Sequence, residues 1–105
     1  MLLPNVTRAL GYAYALSGRF AEALPLLEQA VEQGGSPLAS NSLSEAYLLA
    51  GRLEDANELA GHNLARTRDF KLRGQEAYAL RLLSEIACVE RAFMGYGPEM
   101  RAHAC

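Results

Sequence analysis

Apolar residues recur along this chain with the spacing of amphipathic helices. The clearest series begins at Phe20 and continues through Ala23, Leu24, Leu27 and Val31, which are the i, i+3, i+4 and i+7 positions of one helical face. Glycine and proline residues separate this stretch from its neighbours. The pattern predicts five helices, near residues 2–17, 20–33, 37–50, 53–69 and 72–94.

Two glycines define the shortest connections. Gly18 and Gly51 each lie between two predicted helices, where the unhindered glycine backbone permits a tight turn. Two helices joined by so short a turn must lie antiparallel. Half of the residues are hydrophobic, with alanine and leucine predominant, a composition that favours helices over sheets. The sequence therefore predicts an all-α fold built from antiparallel helical hairpins.

The chain also repeats itself. Five residues recur 33 positions later: Leu10, Tyr14, Gly18, Arg19 and Ala23 match Leu43, Tyr47, Gly51, Arg52 and Ala56. The triplet Leu43-Ser44-Glu45 recurs after 40 positions as Leu83-Ser84-Glu85. A fixed offset of this size is the signature of stacked helical repeats. We therefore expect one domain over 1–105, with repeats at about 4–35 and 37–70, a partial repeat at 72–94 and a tail at 95–105.

These units resemble tetratricopeptide repeats, which run about 34 residues and carry the pattern W-x2-L-G-x2-Y followed by A-x3-F and P. The first unit supplies Leu10, Gly11, Tyr14 and Ala23, and the second supplies Leu43, Ser44, Tyr47 and Ala56. Threonine or serine replaces the tryptophan, and no proline follows the second unit. The resemblance implies a right-handed α-α superhelix of about five helices that acts as a non-enzymatic protein-interaction scaffold.

A narrower resemblance covers residues 75–87. This run is similar to repeats in the helical sensor regions of bacterial ATP-dependent transcription regulators and of nucleotide cyclases, which implies a place in a bacterial signalling or regulatory protein. The alternative is a stand-alone adaptor that binds a peptide or a small molecule in its groove. Whether the natural reading frame continues into ATPase, cyclase or DNA-binding segments would separate the two.

The family resemblance also implies a concave groove lined by the first helix of each hairpin. Its exposed side would carry Asn5, Arg8, Tyr12, Asn41, Glu45, Leu48, Arg81 and Glu85. Chaperone-binding members of the family hold a terminal carboxylate with lysine and asparagine at fixed groove positions. This chain has Arg8 and Tyr12, Asn41 and Ser42, and Tyr78 and Leu82 there or nearby, so we do not expect it to bind chaperone tails.

Other function classes lack support in the sequence. The net charge of −2 gives no reason to expect a nucleic-acid partner, and no apolar run approaches the roughly 20 residues of a membrane helix. His62 and His103 have no partners at metal-ligand spacing, so we expect no metal, cofactor or catalytic residues. Without a targeting segment, Cys88 and Cys105 predict reduced thiols and a cytoplasmic location.

The last predicted helix has two adjoining apolar faces, which together span roughly 200° rather than one stripe. The first, expected to pack on the preceding hairpin, consists of Leu72, Ala79, Leu80, Leu83, Ala87 and Met94. The second, expected to lack cover, consists of Tyr78, Leu82, Ile86, Val89 and Phe93. Burying such side chains is worth roughly 1.5–3 kcal/mol each. We therefore predict a homodimer through the second face, against a monomer capped by its tail or a missing partner domain.

Overall fold

Five α-helices form the described part of the chain, which in this computed structural model comprises residues 4–34 and 36–93. Their bounds are Pro4–Leu16 (α1), Phe20–Gly34 (α2), Pro37–Leu49 (α3), Leu53–Asp69 (α4) and Arg73–Phe93 (α5). Each helix packs against the next one along the chain. The predicted all-α fold is therefore confirmed, and the helix ends fall within about two residues of the predicted ones.

Three of the turns between helices share one backbone hydrogen-bond pattern. After α3, the Arg52 N–H donates to the Tyr47 carbonyl at 2.8 Å, and the same bond to a residue five positions earlier closes α1 and α4. The residue inside each turn has a positive φ, 79° at Gly18, 82° at Gly51 and 56° at Lys71. Glycine adopts this conformation without steric cost, whereas a lysine with its Cβ does not.

Small residues allow the two helices of each hairpin to approach closely. A Cβ atom added to Gly11 would lie 2.8 Å from Leu27 Cγ, so a larger residue at this position would collide with α2. In the second hairpin, Ser44 Oγ donates to the Ala56 carbonyl at 2.8 Å. Residue size at these repeat positions therefore sets the distance between the helices.

Helix α3 is the central element, because it packs against each of the other four helices. Its start is capped by Ser36, whose side chain accepts a hydrogen bond from the Ala39 N–H at 3.1 Å. Asn63 of α4 reaches the same end and donates through Nδ2 to the Pro37 carbonyl at 3.0 Å. All residues from 39 to 46 are buried, so α3 forms the middle of the core.

The orientation of α5 corrects part of the sequence-based prediction, although Ala79 of the face expected in the core is fully buried. Leu82 and Ile86, expected on the uncovered face, are 0% and 1% exposed and lie in a core cluster with Ala56 and Ala60 of α4. Leu80, expected in the core, is 42% exposed. Because the two apolar faces adjoin, helix periodicity alone does not determine which of them meets the hairpin. Contact with both α3 and α4 turns the Leu82 side inward.

Candidate functional site

The first helices of the hairpins share one surface. Helix α3 contacts both α1 and α5, whereas the second helices, α2 and α4, do not contact each other within the described residues. The second helices therefore diverge on one side of the molecule, and α1, α3 and α5 lie together on the other. We call the surface of α1, α3 and α5 the inner face.

Equivalent turns of α1, α3 and α5 form three rows across the inner face. The first row consists of Arg8, Asn41 and Arg81, the second of Tyr12, Glu45 and Glu85, and the third of Leu16, Leu49 and Val89. Members of a row are related by the repeat offsets of 33 and 40 residues. Successive rows lie four residues apart along each helix, which is about one turn or 5.4 Å.

Arg81 is the centre of a polar network on this face. Its Nη2 donates to Glu45 Oε1 and its Nη1 donates to Glu85 Oε1, both at 2.8 Å. Its Cζ lies 4.9 Å from the centre of the Tyr78 ring, within cation–π range. The Glu45 side chain is 9% exposed and that of Arg81 is 50% exposed. The ion pair is therefore partly screened by water, yet loss of Arg81 would leave a nearly buried carboxylate without its cation.

Two tyrosines extend this network to α1. The Tyr12 hydroxyl donates to the Glu45 carboxylate, and this hydrogen bond is the main reason why the pKa of Tyr12 is raised above the usual 10.0. The pKa of Tyr78 is also raised, chiefly by burial, and Tyr78 is hydrogen-bonded to Tyr12. Both phenols therefore stay protonated at neutral pH and act as donors. The network links α1, α3 and α5 in a single layer.

The first row is less open than the sequence predicts. Asn41, expected to be exposed in the groove, is fully buried, and its Nδ2 donates to the backbone carbonyl and to Oε1 of Gln75, both at 3.1 Å. This residue joins α3 to α5. Arg8 is partly buried, and its Nε has no hydrogen-bond partner among the described residues. The side chain of Asn5 lies outside the described part of the chain.

An apolar cavity of about 720 Å³ opens at the third row, between the C-terminal parts of α3 and α5. It is lined by Leu48, Leu49, Ser84, Glu85, Cys88, Val89 and Arg91. Leu48 and Glu85 are thus the two predicted groove residues that line this cavity. Glu85 belongs both to the wall and to the Arg81 network, so the polar and apolar parts of the inner face are continuous.

Several residues that shape this face were not among the predicted groove residues. Val89 and Tyr78 were predicted for self-association, but Val89 lines the cavity and the Tyr78 ring lies under Arg81. The 40-residue offset that relates Glu45 to Glu85 also relates Leu49 to Val89, so a signal for Val89 was present. No repeat match points to Tyr78. The side chain of Phe93, also predicted for self-association, lies outside the described part.

The chemistry of the inner face consists of hydrogen bonds, charge and apolar contact. Across residues 4–34 and 36–93, no three His, Cys, Asp or Glu side chains are grouped to hold a metal ion. None of the described helices has the length and apolar character needed to cross a membrane.

Cys88 is disulfide-bonded, which corrects the expected reduced thiol. The other cysteine, Cys105, lies outside the described residues.

Comparison with known families agrees with this architecture. A family model for the tetratricopeptide repeat matches residues 14–86, well over half of the 105-residue chain. The chain belongs to the tetratricopeptide repeat family. No curated protein and no solved structure matches it significantly. Tetratricopeptide repeat domains are generally protein-interaction modules and typically non-catalytic.

Proposed function

We propose that this tetratricopeptide repeat chain binds a segment of a partner protein on its inner face and catalyses no reaction. The observation that carries the proposal is the meeting of side chains from three helices, Tyr12, Glu45, Arg81 and Glu85, in one network beside the apolar cavity. Side chains already held by neighbouring helices lose little conformational freedom when a partner binds. A preorganised surface of this kind favours recognition.

The inner face offers a partner both polar and apolar contacts. Arg81 and Glu85 are 50% and 46% exposed, so their remaining hydrogen-bonding capacity faces water. The adjoining cavity has the volume of small-ligand sites, which run about 300–1,000 Å³. This size supports the second candidate, an adaptor that binds a small molecule or a single peptide side chain in the cavity.

Site-specific crosslinking tests the proposal. A photo-reactive amino acid in place of Leu48, in the cavity wall, should capture a partner in extracts of the native host. The same amino acid in place of Gln29, exposed on α2, should not capture it. Glu45→Gln should reduce the yield from position 48, because it weakens the anchoring of Arg81. Capture at equal yield from both positions would contradict binding on the inner face.

The biological setting is also a proposal. The similarity of residues 75–87 to sensor regions supports a part in a bacterial signalling or regulatory protein, and a stand-alone adaptor is the alternative. The reading frame in the native genome separates them, because a regulator would continue into ATPase, cyclase or DNA-binding segments. A cytoplasmic location stays a prediction that rests on the missing targeting segment alone, because Cys88 is disulfide-bonded. Cell fractionation of the native host tests it, and recovery outside the cytoplasm would contradict it.

Self-association through α5 stays a proposal, but the residues proposed to form the interface differ from those predicted from the sequence. Leu82 and Ile86 are buried within the chain, so the large exposed apolar residues of α5 and the turn before it, within the described part of the chain, are Phe70, Leu72 and Leu80, at 70%, 39% and 42%. Sedimentation should show a dimer at tens of micromolar that Leu80→Glu dissociates. Leu16→Glu, on α1, is the matched control and should leave the dimer intact. A monomeric parent chain would exclude the homodimer.

A further inference from the structure

We infer that Cys88 forms its disulfide with Cys105, and that this bond ties residues 94–105 over the apolar cavity until a thiol reductant cleaves it. We call residues 94–105 the closing segment. The inference rests on the proposed function in one respect, because it states when the cavity is open to a partner.

The pairing follows from the cysteine content of the chain. Cys88 is disulfide-bonded, and the sequence contains two cysteines, Cys88 and Cys105. A disulfide within this chain therefore joins these two residues. Because α5 ends at Phe93, the bond brings the chain back along the helix that it has just left.

The closing segment is long enough to make this return without disturbing α5. Cys88 lies five residues before the last residue of α5, which is about 7.5 Å along the helix axis. Fully extended, the twelve residues of the segment span up to about 40 Å. The excess length lies on the surface beside Cys88, and Gly95, Gly97 and Pro98 favour the reversal of the chain.

The surface beside Cys88 is the wall of the apolar cavity. Cys88 is partly buried and lines the cavity together with Leu48 of α3 and Val89 of α5. Leu82 and Ile86, on another side of α5, are buried against α4. The sulfur that anchors the closing segment is thus part of the cavity wall itself.

The closing segment has side chains that suit this wall. Its large apolar residues are Met94, Tyr96 and Met100. Leu49, in the wall, is 47% exposed, so it leaves apolar surface that these side chains can cover. Covering such surface is favourable because it removes apolar area from water.

Charge does not oppose closure. Two carboxylates and two guanidinium groups belong to the wall and to the network joined to it, those of Glu45, Glu85, Arg81 and Arg91. Within the closing segment Glu99 balances Arg101, and His103 is counted as neutral at pH 7. Both surfaces therefore carry equal numbers of positive and negative groups, so no net repulsion keeps them apart.

Reduction opens the cavity. A dithiol reductant attacks one sulfur of the disulfide, the Sγ–Sγ bond breaks, and both cysteines become thiols. The two electrons and two protons that they gain come from the reductant, which becomes a disulfide itself. The bond holds the closing segment at a high effective concentration beside the cavity. After reduction only the chain connection at Phe93 remains, and a partner can compete for the wall.

Peptide mapping tests the pairing. The full chain is equilibrated with oxidised glutathione, blocked with N-ethylmaleimide and digested with trypsin, which cleaves after Arg81, Arg91 and Arg101. Peptide 82–91 should then be linked to peptide 102–105, and dithiothreitol should separate them. Two linked copies of peptide 82–91, or peptide 82–91 with a blocked thiol, would overturn the inference.

Photo-crosslinking of the purified chain tests closure. A photo-reactive amino acid in place of Leu48 should crosslink to peptide 92–101 in the oxidised chain, and reduction should lower the yield on the order of tenfold. Cys105→Ser should give the low yield under both conditions. The same amino acid in place of Gln29, exposed on α2, should give no such crosslink. A yield from position 48 that does not depend on reduction would overturn the inference.

Capture of a partner separates this inference from the proposed function. In extracts of the native host, position 48 should capture a partner better in the reduced chain than in the oxidised chain, and Cys105→Ser should capture it equally in both. Equal capture by the oxidised and reduced parent chains would overturn the inference and support the proposed function. Capture by neither, with the linked peptides present, would contradict the proposed function and leave the pairing intact.

Discussion

In the first hairpin, Gly11 of α1 lies against Leu27 of α2, whereas the equivalent positions of the second hairpin, 33 residues later, hold Ser44 and Ala60. The first hairpin thus combines the smallest residue with a large one. The second combines two small residues, and Ser44 also donates a hydrogen bond to the Ala56 carbonyl at 2.8 Å. Both arrangements fill the space between two closely packed helices.

A second equivalent pair shows the same difference. Ala30 and Asn63 are both buried, at 1% and 0% exposure, but Asn63 also donates to the Pro37 carbonyl at 3.0 Å. At these equivalent positions the first hairpin therefore has an apolar side chain, and the second has an amide that also makes a hydrogen bond to the facing helix. The comparison teaches that equivalent positions of the repeat fill the space between two packed helices with different pairs of side chains.

The largest effect is expected from the large residue of the first hairpin. Leu27→Ala should lower the free energy of unfolding by about 2–5 kcal/mol, because it leaves a cavity in the core. Gly11→Ser alone should cost about 1–3 kcal/mol through collision with Leu27. The double variant, which copies the second hairpin, should lose about 1 kcal/mol less than the sum. Urea unfolding followed by circular dichroism measures all three, and strictly additive losses would contradict the shared packing constraint.

A smaller loss is expected from the polar contact of the second hairpin. Asn63→Ala should lower the free energy of unfolding by about 1 kcal/mol, because the hydrogen bond from Asn63 Nδ2 to the Pro37 carbonyl is lost. The control is Asn57→Ala at an exposed position of α4, which should change stability by about 0.5 kcal/mol or less. Equal effects of the two substitutions in urea unfolding would show that the bond to Pro37 contributes nothing.

The turns extend the comparison to the junction between the second hairpin and α5. Lys71→Gly should raise the free energy of unfolding by about 1 kcal/mol, because glycine adopts the positive φ without strain. Gly51→Ala should lower it by a similar amount. Lys71→Ala retains a Cβ in the same conformation and should bring no gain. Thermal unfolding checks the series, and a gain for Lys71→Ala equal to that for Lys71→Gly would point to lysine's charge instead.

The smallest effect concerns pH and the network that joins α1 of the first hairpin to α3 of the second. The pKa of Tyr12 is raised above 10.0 in the folded chain, so the folded state holds this proton more tightly than the unfolded state. The resulting stability is fully present below pH 10 and is lost as the pH rises through the folded pKa. Tyr12→Phe should therefore lose stability less steeply above about pH 10 than the parent chain. Alkaline denaturation measures the slope, and a slope of Tyr12→Phe equal to that of the parent chain would contradict the prediction.

Periodic features of the molecule could be predicted from the sequence. The offset between Gly18 and Gly51 predicted both hairpin turns, and the repeat predicted that Tyr12, Glu45 and Glu85 share one face. The strained turn at Lys71 could not be predicted in this way, because lysine is a poor residue for a positive φ. The burial of Asn41 could not be predicted either, because its partner Gln75 lies 34 residues further along the chain, in another helix.

The sequence by itself determined where the helices begin and end, which of them form hairpins, and which positions recur from one repeat to the next. These properties depend on local backbone preferences and on the helical period. Only the tertiary structure decided which face of α5 enters the core, where Leu82 and Ile86 are buried and Leu80 is not, and how Arg81 is held between Glu45 and Glu85. Those outcomes depend on how α5 is rotated about its axis when it packs against two other helices at once. The helical period of 3.6 residues fixes the width of an apolar surface but not the direction in which that surface faces.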